Sequence, residues 1–313
     1  MASSEAHRGL ESVWARWWYA AKPASWPKLL VPMALGQMLG AVVAETFSIG
    51  AFVFGCVFVI ADLLTIVFLN DWADRDVDRI KREMFPHGCS PKTIPDGILP
   101  VNALLLAGLA AGLVGLIVAG GAAWWLERPS LLGFSTVAIL VFWAYTLPPI
   151  RLNYRGGGEL LEGIGVGAVL PALNVYAQAG TLRDPRLVLL LPFVALSLAS
   201  AVASGLADER SDRRGGKRTF ATLLGNRGSR RIVESLTILG GIGWLAIAWG
   251  EPQVGVAGVL GGCTVFAFVP SLFSSSPKAV TDAFQAQGRY KLALHRAVWF
   301  GALATSAGLL LSA

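Results

Sequence analysis

The 313-residue chain is short of charge: Asp, Glu, Lys and Arg make up 15% of it, where an ordinary soluble domain carries about 25%. With 54% hydrophobic residues there is too little polar side chain to cover a water-soluble fold of this size, so a soluble domain is excluded. Cysteine is scarce and odd in number. Cys56, Cys89 and Cys263 show no pair spacing, so neither a disulfide framework nor a thiolate metal site is expected. His7, His87 and His295 are too dispersed for a zinc site. The period-2 alternation of an outer-membrane barrel is also missing. What remains is an all-α membrane protein.

Apolar stretches near the roughly 20 residues that cross a bilayer core recur along the chain. They occupy 26–45, 50–69, 101–121, 131–149, 159–178, 186–207, 230–249, 253–273 and 291–311. The pattern predicts a polytopic bundle of about nine transmembrane helices forming one domain over 26–313. Residues 1–25 precede it. Within them Trp14-Ala-Arg-Trp-Trp-Tyr19 mixes aromatics and cations as an interfacial helix does. Ala41-Val-Val-Ala44 has the small residues of a leader-cleavage site, but its apolar run starts far from Met1 and has the length of a span.

Of the 26 Lys and Arg, all but Arg128, Arg183 and Arg186 fall on one side of these spans. Positive loops stay cytoplasmic, so the N-terminus and the even-to-odd loops are expected there, in a cell inner (plasma) membrane. This topology accounts for the net charge of +6 without nucleic acid.

Two loops on the positive side concentrate the acids: Asn70-Asp-Trp-Ala-Asp-Arg-Asp-Val-Asp78 and Asp208-Glu-Arg-Ser-Asp212. If the second span continues as helix, Asp71, Asp74 and Asp78 form one stripe at i, i+3 and i+7, while Asp76 points elsewhere. Asp208 and Asp212, at i and i+4, share a face that Glu209 does not. Two carboxylate faces can therefore look at each other across a cavity on the cytoplasmic side. Like charges packed at 4 Å repel by roughly 4 kcal/mol per pair at an effective dielectric of 20, so the arrangement needs cations. Mg²⁺ suits it, with Asn70 as a neutral oxygen ligand and a phosphorylated substrate as the third partner. Lys81, Arg82, Lys92, Lys217 and Arg218 are placed to clamp a diphosphate. Arg213, Arg214, Arg230 and Arg231 read better as topology anchors.

The two acidic motifs resemble the N-D-x-x-D-x-x-x-D and D-x-x-x-D signatures of the UbiA superfamily of intramembrane prenyltransferases. Asn70, Asp71, Asp74 and Asp78 match the first pattern, and Asp208 and Asp212 the second. Lys92-Thr-Ile-Pro-Asp-Gly97 stands where that family usually has Arg-Pro-x-x-x-Gly. In finer detail, Tyr145-Thr-Leu-Pro-Pro-Ile-Arg-Leu-Asn-Tyr-Arg-Gly-Gly-Gly-Glu159 and Gly216-Lys-Arg-Thr219 resemble the dihydroxynaphthoate polyprenyltransferases of the menaquinone branch. Asn153 departs from that branch, which generally carries Lys there.

The resemblance implies that Mg²⁺ bridges a polyprenyl diphosphate between the motifs, with Asp71, Asp74, Asp208 and Asp212 central to catalysis. It further implies an aromatic acceptor, such as dihydroxynaphthoate, with Lys22, Tyr145, Arg151 and Tyr154 as acceptor-side candidates. A membrane terpene cyclase would use the same acids, and a cation-coupled transporter is a third reading.

Two further signals carry less. Gly163-Ile-Gly-Val-Gly167 and Gly240-Gly-Ile-Gly243 are small-residue helix contacts rather than nucleotide loops. Asp62, about 12 Å deeper than Asn70 along the same span, should face the cavity or a partner, and stays outside the catalytic set.

Overall fold

The computed structural model describes residues 12–86 and 92–312; His7, His87 and Cys89 lie outside them. Among the described residues there are helices and no strand. They are α1 (Val13–Ala20), α2 (Pro27–Ala44), α3 (Ile49–Met84), α4 (Val101–Trp125), α5 (Leu131–Thr146), α6 (Leu152–Arg155) and α7 (Gly158–Ile164). A π-helical turn, Gly165–Val169, leads from α7 into α8 (Leu170–Ala179). There follow α9 (Leu190–Gly205), α10 (Glu209–Arg214), α11 (Phe220–Gly250), α12 (Gly255–Ser275) and α13 (Phe284–Ser312).

Eight segments among the described residues are long and apolar enough to cross a membrane, with α7, its π turn and α8 making one of them. The apolar α5, at 16 residues, is a shorter ninth. The chain is a multi-pass membrane bundle.

Helix α3 decides where the first acidic motif goes. The Ser48 hydroxyl caps it by accepting from the Ala51 N–H at 3.2 Å, and no Gly or Pro interrupts the acidic stretch. The helix therefore runs 36 residues, straight through the motif, and closes with Lys81 and Arg82 against the negative end of its dipole. Helix α11 begins ten residues before the apolar window at 230–249. Thr219 and Thr222 form a capping box there, and the backbone breaks at Gly225 (φ 71°, ψ 168°). Its polar opening stretch, with Arg227, Arg230 and Arg231, hid that start from hydropathy.

Consecutive helices pack side by side: α3 on α4, α11 on α12 and α12 on α13. Helix α9 lies on α11, α2 lies on α8, and α13 returns to α2 to close the ring. Glycines permit the close approaches. Gly163 and Gly167 face the backbone of Leu198 and Val194 on α9, and Gly240 faces Leu196. The tightest contact of α2 is at Gly36, where an added Cβ would sit 2.3 Å from the Pro171 carbonyl oxygen. Gly36→Ala should therefore lower stability in detergent by about 1–3 kcal/mol, read as an earlier thermal unfolding midpoint. An unchanged midpoint would mean that α2 and α8 are not packed this closely.

Outward faces carry the lipid-facing surface, with Leu106, Leu113 and Ile117 exposed along α4. Trp124, Trp125 and Trp249 stand exposed where α4 and α11 end, as an interfacial aromatic belt requires.

Candidate active site

Inside the ring, at its acidic end, lies a cavity of about 340 Å³, within the size range of small-molecule sites. Asn70, Asp71 and Asp74 of α3 line one wall, and Asp208 and Asp212 line another. The helical stripe thus brings both motifs to one space. Asp208 closes the short 3-10 turn Leu206–Asp208, and Asp212 follows one helical turn later in α10. Glu209 turns away to Thr281 and Arg213.

Lysines neutralise the carboxylates in a crossed pattern. Lys81, on the helix of the first motif, pairs with Asp208 of the second. Lys217, just past the second motif, reaches back to Asp74 at 2.6 Å and lies 4.0 Å from Asp212. Lys92 holds Asp78 at 2.6 Å, and Lys22 pairs with Asp71. Asp71 also accepts from the Thr93 hydroxyl at 2.6 Å. Thr93 stands where the family's Arg-Pro stretch has proline, as Lys92 stands for its arginine, and it supplies a donor that proline lacks.

Two non-glycine residues adopt left-handed backbone here: Lys22 (φ 49°, ψ 60°) and Arg151 (φ 48°, ψ 53°). Such conformations are uncommon outside glycine and gather at functional sites. Arg151 donates to the Ala73 carbonyl at 3.0 Å and lies 3.5 Å over the Tyr154 ring. Tyr154 in turn donates its hydroxyl to Asp74 Oδ1 at 3.0 Å. Tyr145 and Asn153 line the cavity directly, and the Thr146 hydroxyl donates to Asn70 Oδ1 at 3.3 Å.

The residues expected from sequence do not all meet the cavity. Arg82 turns to Asp96, with contacts at 2.7 and 2.6 Å, and Arg218 is exposed; neither lines the cavity wall. Asp78 sits behind the wall with Lys92, and Arg151 and Tyr154 act through Asp74 and Ala73. Sequence reasoning missed Lys28, whose ammonium meets Glu162 at 3.1 Å and Ser204 at 2.8 Å on the cavity wall. It missed Glu159 too, which accepts from the Phe220 N–H at 2.7 Å. The available signal was an acid or lysine at the edge of an apolar span, where isolated charges are costly.

Burial alone would lower the Lys92 and Lys217 pKa values, but the surrounding carboxylates outweigh it. Both rise above the ordinary 10.5: Lys92 through Asp208 and Asp78, Lys217 through Asp74 and Asp212. A lysine with a raised folded pKa stabilises the fold fully below its unfolded value, and that contribution is lost only as pH climbs through the folded value. Stability should therefore stay flat with respect to these two lysines from pH 7 to about 10 and fall above it. Denaturation across pH 7–11 checks this. A loss centred near pH 8–9 that vanishes in Lys217→Met would contradict it. Burial and Asp74 likewise raise the Tyr154 phenol, which keeps it a hydrogen-bond donor at neutral pH.

Two acidic motifs, crossed by lysines over an apolar-walled cavity inside a membrane bundle, make a site for an anionic substrate with an apolar body. The chain belongs to the UbiA prenyltransferase family, whose model matches residues 29–295, and it is a prenyltransferase. It is 27% identical over 272 residues to a 1,4-dihydroxy-2-naphthoate octaprenyltransferase of Bacillus subtilis, covering 84% of this chain and 79% of that one. It is 26% identical to the chloroplastic chlorophyll synthase of Arabidopsis thaliana, over 75% of this chain and 61% of that protein. Its fold matches the structure of a UbiA homologue from Archaeoglobus fulgidus bound to GPP and Mg²⁺, with a TM-score of 0.69 at 14% identity. That match covers 93% of this chain and 99% of the other.

Proposed function

We propose that the protein transfers a polyprenyl group from a polyprenyl diphosphate to an aromatic acceptor, a quinone precursor such as dihydroxynaphthoate, with Mg²⁺. The observation that carries this reading is the pair of acidic motifs facing one cavity, each neutralised by a lysine from the other's side. One relative is named for octaprenyl transfer to 1,4-dihydroxy-2-naphthoate and another for chlorophyll synthesis, and the acceptor reading follows the first.

The donor set fits Mg²⁺. Asn70, Asp71, Asp74, Asp208 and Asp212 offer hard oxygen atoms on the cavity wall. Mg²⁺ characteristically uses one or two carboxylates and completes its shell with water and phosphate oxygens. When bound by these residues it supplies neutralisation of the negative charge on the departing diphosphate.

This chain's own residues do the rest. Lys22 and Lys217, which line the cavity, exchange a carboxylate partner for diphosphate oxygens, so they are already in place when donor enters, while Lys81 and Lys92 add positive charge from behind the wall. Asp78 keeps Lys92 at that post, while Tyr154 and Arg151 hold Asp74 in position. The apolar wall of Leu29, Leu63, Ile66, Val67, Ala138 and Phe142 keeps water from the allylic carbon as its bond to oxygen weakens. An electron-rich carbon of the acceptor, beside Tyr145, then bonds to that carbon as diphosphate leaves, and the attacked ring carbon gives up the group it carried, a proton or a carboxyl as CO₂, to restore aromaticity.

Topology follows the positive-inside rule: the acidic end and the N-terminus face the cytoplasm across an inner (plasma) membrane. Of the N-terminal segment 1–25, residues 1–11 lie outside the described residues; α1 rests at the headgroup level with Trp14 and Trp18 exposed, ahead of a prenyltransferase domain over 26–313.

Purified protein given Mg²⁺, a polyprenyl diphosphate and candidate acceptors should yield prenylated acceptor and free diphosphate. Chelation with EDTA should abolish turnover, and added Mg²⁺ should restore it. A cyclic hydrocarbon formed without any acceptor would replace transfer with cyclisation, and turnover that survives chelation would remove the metal from the mechanism.

A further inference from the structure

Asp62 lies on α3 about two turns deeper than Asn70 and lines the same cavity, and the mechanism above leaves it idle. It is 5% exposed, it lines the cavity, and its Oδ1 is buried without a hydrogen-bond partner. Asp71, Asp74, Asp78 and Asp208 each have a lysine at hand. An unpaired carboxylate at this depth costs a few kcal/mol, and α3 would pack at least as well with an apolar residue there. The side chain points into a space that something polar must occupy when the enzyme works.

A polyprenyl tail offers no hydrogen-bond donor, so the tail would leave Asp62 uncompensated. The acceptor fits. Eight residues of helix place Asp62 about 12 Å below Asn70, and reacting carbons meet at about 3–3.5 Å beneath the diphosphate. That leaves room between the diphosphate and Asp62 for an aromatic ring system. We propose that Asp62 anchors the acceptor by accepting a hydrogen bond from a hydroxyl or N–H carried by its aromatic ring. The enzyme therefore selects acceptors carrying such a donor, and analogues lacking it are rejected because the carboxylate is left unpaired. This deepens the prenyl-transfer reading and rests on it.

The test uses the full chain in detergent with Mg²⁺ and geranylgeranyl diphosphate, and three probe acceptors: 1,4-dihydroxy-2-naphthoate, 1-hydroxy-2-naphthoate and 4-hydroxybenzoate. Asp62→Leu should raise the KM for the preferred acceptor about tenfold to a hundredfold, with the donor KM held within about twofold. Asp62→Asn, which keeps an acceptor oxygen, should recover part of that loss. Removing one ring hydroxyl, by replacing 1,4-dihydroxy-2-naphthoate with 1-hydroxy-2-naphthoate, should penalise the wild type and cost Asp62→Leu nothing further.

A donor KM that rises in step would assign Asp62 to the prenyl tail, and a fall in kcat with both KM values unchanged would make it structural; either overturns the proposal. So does acceptor affinity independent of Asp62 for every probe. Acceptor binding followed by tryptophan fluorescence reads the same contact without turnover. Wild-type protein that binds acceptor through Asp62 yet makes no product would sink prenyl transfer and leave the contact standing.

Discussion

Asp71→Ala and Asp208→Ala should each lower kcat/KM for prenyl transfer by about 10²–10³-fold or more, the scale on which one preorganised electrostatic group matters. The two acids stand on opposite walls of one cavity, and each is held by a lysine, Lys22 or Lys81. Removing one disturbs both the oxygen donors and the lysine charge that serves the diphosphate. The double variant should be little worse than either single one, because residues that act as a unit are not additive. By contrast, Thr93→Val removes one hydroxyl contact to Asp71, and a loss of roughly tenfold or less is expected. Turnover that survives in both alanine variants would end the two-motif mechanism.

Asp74→Ala or Lys217→Met should destabilise the folded protein by about 3–5 kcal/mol, because each strands the other charge in a dry interior. The side chains of Lys217 and Asp74 are only 7% and 9% exposed, and Tyr154 loses its acceptor when Asp74 goes. Replacing the pair together with leucine and methionine should recover most of the stability and none of the activity. Unfolding in mixed micelles reads the first quantity and product formation the second. If the double replacement stayed as unstable as the single ones, the pair would not be the cause.

The separation of stability from activity matters for reading the site. A buried ion pair is weak support for a fold, since an apolar pair of similar volume does as well. The four lysine–carboxylate pairs of the two acidic motifs therefore call for a reason other than stability. Exchange of partners with an incoming diphosphate at Lys22 and Lys217, with the charge of Lys81 and Lys92 behind the wall, supplies that reason.

Much of this was legible along the chain. Apolar run lengths predicted the spans, and the spacing of Asp71, Asp74 and Asp78 predicted one face of a continued helix, which α3 supplies. The acids of the two motifs were expected to meet, and Asp71, Asp74, Asp208 and Asp212 line one cavity while Asp78 stays behind its wall. Less legible was the division among the bases. Lys81, Arg82, Lys92, Lys217 and Arg218 look alike in sequence, yet Arg82 goes to Asp96 and Arg218 to the surface. Lys28 lay unnoticed at the start of a span because its partners Glu162 and Ser204 are 134 and 176 residues away.

The sequence by itself determined the membrane bundle, the helical stripe of acids and the family, since hydrophobic run length and helical periodicity are local properties of consecutive residues. Only the tertiary structure decided which lysine meets which carboxylate, that Thr93 reaches Asp71, and that Asp62 is left facing the cavity without a partner. Those outcomes depend on how helices distant in sequence rotate and pack against one another, and a charge carries no mark of the residue it will meet across that packing.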